Sequence, residues 1–496
     1  MRKRFIIPVL FVILPFSILA CNPEANGEEN LIDDTTVLGP LPADKGKITV
    51  EAGAYTAWDC GYDVSKAVWG KYKALTVDSL GVSPTKADKL NKYGSWESGP
   101  TLAATGFFRT DKYRGRWVLV DPVGKIHIEC SAVTLSPGGG RVNRTYFGRK
   151  WADKNAWIKS TMDDLIGYGF HGSGAWGDEE AIKYYNSVSE DHKCTYTPVF
   201  NIMSDFGYAL NIAEHHPGNT AYPNSCIPVF HPDFKAFCEK NIPPFVEKYK
   251  NDPNVVGYFS DNEMPLRLAN LSGYLTLDEN DYGHKAAVAW LAEKGISQDK
   301  INDNVRLEFV GYVAETYYRI VSEVLKKADP NHLYLGSRLS GTSKTFSTVY
   351  SACAKYCDIV SINYYGQWEV RALDIQRWES WADAPFMITE FYTKGEDSGL
   401  GNTCGDGWIV HDQKSRGLHY ENFTIGLLRS NACVGWTWFK YLDNDPTATN
   451  PEPSNVDANK GIYNNYYEPY TDLVNSMTRL NTVRYSILSQ NWLYTK

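Results

Sequence analysis

Two acids stand at the ends of short apolar runs. Val255-Val256-Gly257-Tyr258-Phe259-Ser260-Asp261-Asn262-Glu263 closes on an amide and a carboxylate, and Pro385-Phe386-Met387-Ile388-Thr389-Glu390 delivers a second carboxylate in the same way. Apolar and aromatic residues bounded by Pro253 and a polar cluster predict a buried parallel strand whose C-terminal end opens into a cleft. A carboxylate that ends such a strand needs a partner or a function, because burying it unpaired is costly. Two such acids on two strands predict glycoside hydrolysis, in which one carboxyl group protonates the leaving oxygen and the other attacks the anomeric carbon.

The elements that must position them follow the same pattern. A hairpin joins Arg116-Trp117-Val118-Leu119-Val120, through a turn at Asp121-Pro122-Val123-Gly124, to an arm from Lys125 to Val133 that is read as the first barrel strand. Further strands are predicted near 169–176, 196–202, 255–263, 333–338, 359–365, 386–390 and 434–439, with helical patterning at 155–168, 234–249, 284–295 and 303–328. Strands alternating with helices are the mark of βαβ units. Counting from Ile126, Glu263 ends the fourth strand and Glu390 the seventh. The expected fold class is α/β, a (β/α)8 TIM barrel with a small N-terminal accessory segment, its chemistry at the C-terminal ends of the strands. The distance from Glu263 to the next strand predicts an insertion there.

A chain of 496 residues accommodates such a barrel with decorations. It holds 33 Tyr and 15 Trp, most of which must pack the core, although flat rings also serve sugar stacking. With 50 Lys+Arg against 58 Asp+Glu, the net charge of −8 does not invite nucleic acid. No Cys-x-x-Cys or His-rich metal spacing occurs, and the cysteines are expected to be mostly buried thiols. His127 and His171 are read as core or rim histidines. The Asp443-Asn444-Asp445 and Asp278-Glu279-Asn280-Asp281 clusters are read as turns, since they lack the ordered spacing of a calcium loop.

At the N-terminus, Arg2, Lys3 and Arg4 precede an apolar run from Phe5 to Ala20, the form of an export leader. Ile18-Leu19-Ala20-Cys21 resembles a bacterial lipobox, which implies acylation of Cys21 and anchoring to the outer membrane, the only membrane contact expected. The expected division is a signal peptide at 1–20, an acidic tether at 21–45, an accessory segment at 46–115 and a catalytic barrel at 116–496. Oligomeric state has no sequence signal.

Acids at the ends of strands four and seven, the first preceded by Asn262, resemble clan A glycoside hydrolases. The local text is closest to family 50 β-agarases and more distantly similar to family 42 β-galactosidases and family 86 agarases and porphyranases. The resemblance rests on Gly257 to Glu263, the Trp117 to Ser131 hairpin, Gly407-Trp408-Ile409-Val410 leading to Gln413-Lys414-Ser415-Arg416, Val434 to Asp443, and Asn459-Lys460-Gly461-Ile462. The N-terminal part is shorter than the accessory domain of family 50, and Met264-Pro265-Leu266 replaces more polar residues. The resemblance implies a retaining enzyme, with Glu263 as acid/base and Glu390 as nucleophile, acting on a β-linked galactan of agarose or porphyran type without a cofactor. On that reading Asn262 binds the sugar 2-hydroxyl and Tyr364 or Tyr365 holds Glu390; Trp438 either floors the cleft or, like Trp436 two residues before it on the same face, packs the core, and Trp176 is a candidate cleft wall. Arg338 either contacts sugar hydroxyls or pairs with an acid. An exo-β-galactosidase-like enzyme, a transglycosylase and a surface glycan-binding lipoprotein are the competing readings.

Overall fold

Apolar runs too short to be helices alternate with amphipathic stretches, and the chain folds as that alternation requires. The computed structural model describes residues 48–83 and 86–491. The leader, Cys21 and the tether lie outside the described residues.

The strands are β1 (Glu129–Ala132), β2 (Gly172–Ser173), β3 (Thr195–Tyr196), β4 (Gly257–Tyr258), β5 (Leu333–Tyr334), β6 (Val360–Asn363), β7 (Phe386–Glu390) and β8 (Cys433–Trp438). All pair in parallel, in a six-stranded sheet of order β6-β7-β8-β1-β2-β3 and a separate pair β4-β5. Parallel neighbours need crossovers, which are helical here: Lys154–Gly167, Glu179–Val188, Phe234–Val246, Asp303–Ala328, Ser347–Tyr356, Ala372–Trp381 and Gln413–Arg429 each fall between successive strands. The fold is mixed α/β.

One continuous eight-stranded ladder is not formed. The six-stranded sheet and the pair meet through isolated parallel bridges, Tyr196 to Val255 and Val199 to Phe259 on one side and Leu339 to Ile362 on the other, with a few further backbone hydrogen bonds such as Ile202 N to Ser260 O and Asp358 N to Tyr334 O. The backbone explains the short strands: Thr134, Trp176, Glu263 and Arg338 take φ of 56°, 61°, 50° and 56°, left-handed conformations that end regular pairing just beyond β1, β2, β4 and β5. The hairpin arm also differs from expectation. It breaks at Ile128, where the backbone amide donates to the Tyr485 hydroxyl, so Ile126–His127 completes the antiparallel hairpin and β1 starts afresh as a parallel strand.

The helices begin where the sequence supplies a cap. Asp153, Asp178, Asn302 and Asp412 accept from the amides of Ala156, Ala181, Val305 and Ser415. Asp303–Ala328 spans the predicted range and buries Val310, Val313, Tyr317, Ile320 and Leu325 along one face. The insertion after Glu263 contains two helices, Asn270–Leu275 and Tyr282–Glu293, the latter capped by Asp281. Asp443 is no turn residue: it is buried and accepts from the Asn459 amide, the Gly461 N–H and the Tyr470 hydroxyl.

Strands Ile48–Ala54 and Val68–Ala74 form an antiparallel hairpin that pairs with Trp408–Val410, itself parallel to Thr393–Gly395. The accessory segment therefore shares a sheet with the loop that follows β7. A small core of Val50, Ala52, Ala74, Trp368, Trp408 and Val410 holds the two together.

Asp261 joins three elements beneath the strand ends. Fully buried, it accepts from the Met203 and Ser204 amides, which open the helix Ile202–Ala209, and from the Tyr317 hydroxyl of the long helix. Burial pushes its carboxyl up to about 7. Asp261→Ala strands all three donors and should lower unfolding free energy by about 2–4 kcal/mol in urea titrations. Unchanged stability would remove Asp261 from this role.

Candidate active site

A cavity of about 1440 Å³ opens beyond the C-terminal ends of the parallel strands. Asn262, Glu263, Tyr364, Tyr365, Glu390 and Trp176 line it, together with Thr56–Asp59 from the N-terminal hairpin and Gly218 from the turn between Glu214–His216 and Asn219–Ala221. Residues from across the sequence thus converge on one wall-and-floor arrangement, with both predicted acids inside it.

Glu263 lies just past β4 in a left-handed turn fixed by its amide, which donates to the Ser337 carbonyl at 3.1 Å. Its Oε1 accepts from the Asn363 amide at 2.8 Å. Burial, and then the negative charge of Glu390, raise its carboxyl to about 8, so that it holds a proton at neutral pH. Gly218 comes close enough that a Cβ there would stand 3.3 Å from Glu263 Oε2, and its φ of 77° admits a side chain only with strain. The Asn262 amide donates to the Gly218 carbonyl at 2.8 Å, tying that turn to the acid's neighbour.

Glu390 ends β7 and is 4% exposed. One oxygen, Oε1, sits 2.5 Å from Arg338 Nη2, and the other accepts a hydrogen bond from the Tyr365 hydroxyl. Burial beside Glu390 keeps that phenol well above its ordinary range, hence a donor. Arg338 is fully buried; beside its ion pair with Glu390 it donates hydrogen bonds to the Thr389 carbonyl at 3.1 Å and to Asn262 Oδ1 at 3.3 Å. Its guanidinium lies 4.4 Å from the Trp176 ring centroid and 5.3 Å from that of Phe259. Trp176 is 39% exposed, one side against Arg338 and the rest open to the cavity.

Two open readings narrow to one, and one role changes. Arg338 does not line the cavity; it pairs with Glu390, because its own depth leaves no path to a sugar. Tyr364 reaches the cavity but its hydroxyl donates to Asp374 at 2.6 Å, so Tyr365 alone holds Glu390. Trp438 is fully buried, its indole N–H spent on the Lys460 carbonyl at 2.9 Å, and the ring at the cavity is the next one, Phe439. Sequence reasoning missed Asn363. It ends β6, donates to Glu263 and accepts from Thr389 at 2.8 Å; a polar amide closing an apolar strand was the available signal. His127 and His171 sit in the core, the former between Ser95 and Glu129.

No protein-family model matches the chain. Among curated proteins it is similar to Beta-agarase B of Vibrio sp. (strain JT0107), 23% identical over 95% of this chain. It spans only 58% of that relative's length. Among solved structures it is similar to the "Crystal structure of BpGH50", at 31% identity and a TM-score of 0.79, covering 92% of this chain and 99% of that one. The structure described as "Structural analysis of an exo-beta-agarase", 20% identical with a TM-score of 0.67 over 83% of this chain and 69% of that one, shares the fold. On the likeness to BpGH50, which extends through nearly the whole of both chains, this protein belongs to glycoside hydrolase family 50.

Proposed function

We propose that the chain is a retaining glycoside hydrolase that cleaves β-linked, galactose-containing polysaccharide or oligosaccharide of agarose or porphyran type. The observation that carries the reaction is the unequal environment of the two acids. Glu263 is held protonated by burial and by its anionic neighbour, whereas Glu390 has an arginine on one oxygen and a phenol on the other. The agarase names borne by the similar proteins support the substrate class.

In this reading Glu263 gives its proton to the leaving glycosidic oxygen as Glu390 attacks the anomeric carbon, a double displacement that requires the two carboxyl groups to lie roughly 5–5.5 Å apart. Covalent bond formation cancels the charge of Glu390, which is the second cause of Glu263's raised pKa. Glu263 then takes a proton from water, and the water hydrolyses the glycosyl-enzyme. Asn262, fixed by Gly218 and Arg338, faces the cavity where the 2-hydroxyl would lie. Trp176 and Phe439 offer rings for the sugar faces.

The finer fold reading belongs to the same proposal. Single bridges on both sides of β4-β5 support a ring of eight strands, an irregular (β/α)8 barrel of the clan A kind within 116–496, with 46–115 as its accessory segment. The lipobox-like text at Cys21 supports a lipid-anchored, outer-membrane location.

Glu263→Gln and Glu390→Gln should each lower kcat on agaro-oligosaccharides by about 10³-fold or more, and wild type should release product with retained anomeric configuration by NMR. Binding without cleavage in wild type would favour a glycan-binding protein instead. Wild-type kcat/KM should fall as pH rises through about 8, where Glu263 loses its proton.

The same shift has a stability consequence. A carboxyl raised from 4.5 to about 8 leaves stability unaffected while both states are protonated, then lowers it as pH rises above 4.5 and the unfolded chain alone ionises. Glu263→Gln should therefore stabilise the fold at pH 7, by about 1–3 kcal/mol, and not at pH 4. Equal melting temperatures for variant and wild type at both pH values would contradict it.

A further inference from the structure

We propose that the cavity wall formed by Lys344 and Arg377 is a subsite for an anionic substituent, a sulfate ester or a carboxylate, on the glycan chain. This rests on the reading of the cavity as a glycan site and adds the kind of glycan it selects.

The wall comes from two loops at the same end of the strands. Lys344 follows β5 in the short helix Ser343–Thr345, and Arg371, Asp374 and Arg377 belong to the start and body of the helix Ala372–Trp381 after β6. All four line the cavity. Three cations face one carboxylate, and that carboxylate is already occupied. Asp374 accepts from Arg371 Nε and Nη2, both at 3.0 Å, and from the Tyr364 hydroxyl at 2.6 Å.

Arg377 is left over. Its side chain is nine-tenths buried, its Nε is buried with no hydrogen-bond partner, and its nearest approach to an acid is Nη1 to Asp374 Oδ1 at 4.0 Å. A buried arginine with a purely structural task looks different in this molecule. Arg116 and Arg484 also leave Nε without a partner, but their terminal nitrogens are spent on carbonyls, those of Leu428 and Cys433 for Arg116 and those of Gly169, Asn481 and Gly94 for Arg484. Lys344 is also short of acceptors, with one bond from Nζ to the Gly341 carbonyl at 2.8 Å and the Tyr364 ring 5.5 Å away. Burial lowers its ammonium to about 8, the state expected of a cation waiting for an anion in a poorly solvated wall.

An oxyanion between these two side chains would satisfy both, through charge-assisted hydrogen bonds of the kind that arginine forks and lysine make with sulfate and carboxylate. The wall is also tied to the acids. Asn363, Tyr364 and Tyr365 are consecutive, and they contact Glu263, Asp374 and Glu390 in turn. The wall is thus anchored to the strand end that contacts both acids, and the proposal places the anionic group on a sugar of the chain bound in that cavity.

The test uses matched galactan oligosaccharides: neutral, 6-O-sulfated, and carrying a uronate carboxylate. Their dissociation constants are measured by calorimetry for the wild-type wall, Lys344→Met and Arg377→Gln, each in the Glu263→Gln background so that no ligand is turned over, with thermal melts to confirm folding. The wild-type wall should bind one of the anionic ligands at least about tenfold tighter than its neutral counterpart, the effect of one charge-assisted hydrogen bond. That preference should shrink to within about twofold in Lys344→Met, which alters a partly exposed side chain, and in Arg377→Gln if it folds. The sulfated and uronate arms identify the anion. Equal affinity for neutral and anionic ligands with the wild-type wall, or a preference that survives Lys344→Met, overturns the subsite. The failure of every ligand to be cleaved by wild type would instead strike at the hydrolase reading, since the preference is read from binding alone.

Discussion

A single buried guanidinium organises the candidate site. Arg338 contacts the carboxylate of Glu390, the amide oxygen of Asn262 and the backbone of Thr389, and it lies between the rings of Trp176 and Phe259. It thereby joins β2, β4, β5 and β7 at one point. A buried charge cannot be left without its partner, and removing one member of such a pair costs about 3–5 kcal/mol. Glu390 and Arg338 consequently fix each other, and the strand ends are fixed around them. With the charge of Glu390 held in place, Glu263 is left as the carboxyl that keeps its proton.

This arrangement is built at some expense to regular structure. Thr134, Trp176, Glu263 and Arg338 are all in left-handed backbone conformations, each at a strand end facing the cavity. Such conformations cost of order 1–3 kcal/mol apiece and persist where the surroundings over-determine them. Here the surroundings are hydrogen bonds: Glu263 N to Ser337 O, Arg338 N to Ser361 Oγ, and Thr134 N to Ala175 O. The ladder is reduced to isolated bridges between β3 and β4 and between β5 and β6, on either side of the strands that lead to Glu263 and Arg338. The irregular part of the sheet is where Glu263 is placed, whereas Glu390 ends a strand paired on both sides.

The two acids were legible because an apolar run that stops at a carboxylate says where a strand ends and what it presents. The helices expected at 155–168 and 303–328 were legible from apolar spacing, and Asp153 and Asn302 cap them close to the expected starts. What could not be read depended on contacts between distant residues. An arginine after an apolar run looks the same whether it meets a sugar or a carboxylate, so Arg338 had two readings. Alternation puts Trp436 and Trp438 on one face of β8 without saying which face, and both are in fact buried away from the cavity. The union of the N-terminal hairpin with Trp408–Val410 pairs opposite ends of the chain. Lys344, Arg371 and Arg377 form no basic run in the sequence, and only the fold assembles them around Asp374.

The central claim is that environment divides the labour, with Glu390 forming the bond to sugar and Glu263 moving the proton. The most direct measurement is mass spectrometry of peptides from protein incubated with a 2-deoxy-2-fluoro galactosyl donor bearing an activated leaving group, which slows breakdown of the intermediate. The account predicts a single glycosyl adduct on the peptide that carries Glu390. An adduct on Glu263, or none while the donor is still turned over, would contradict it.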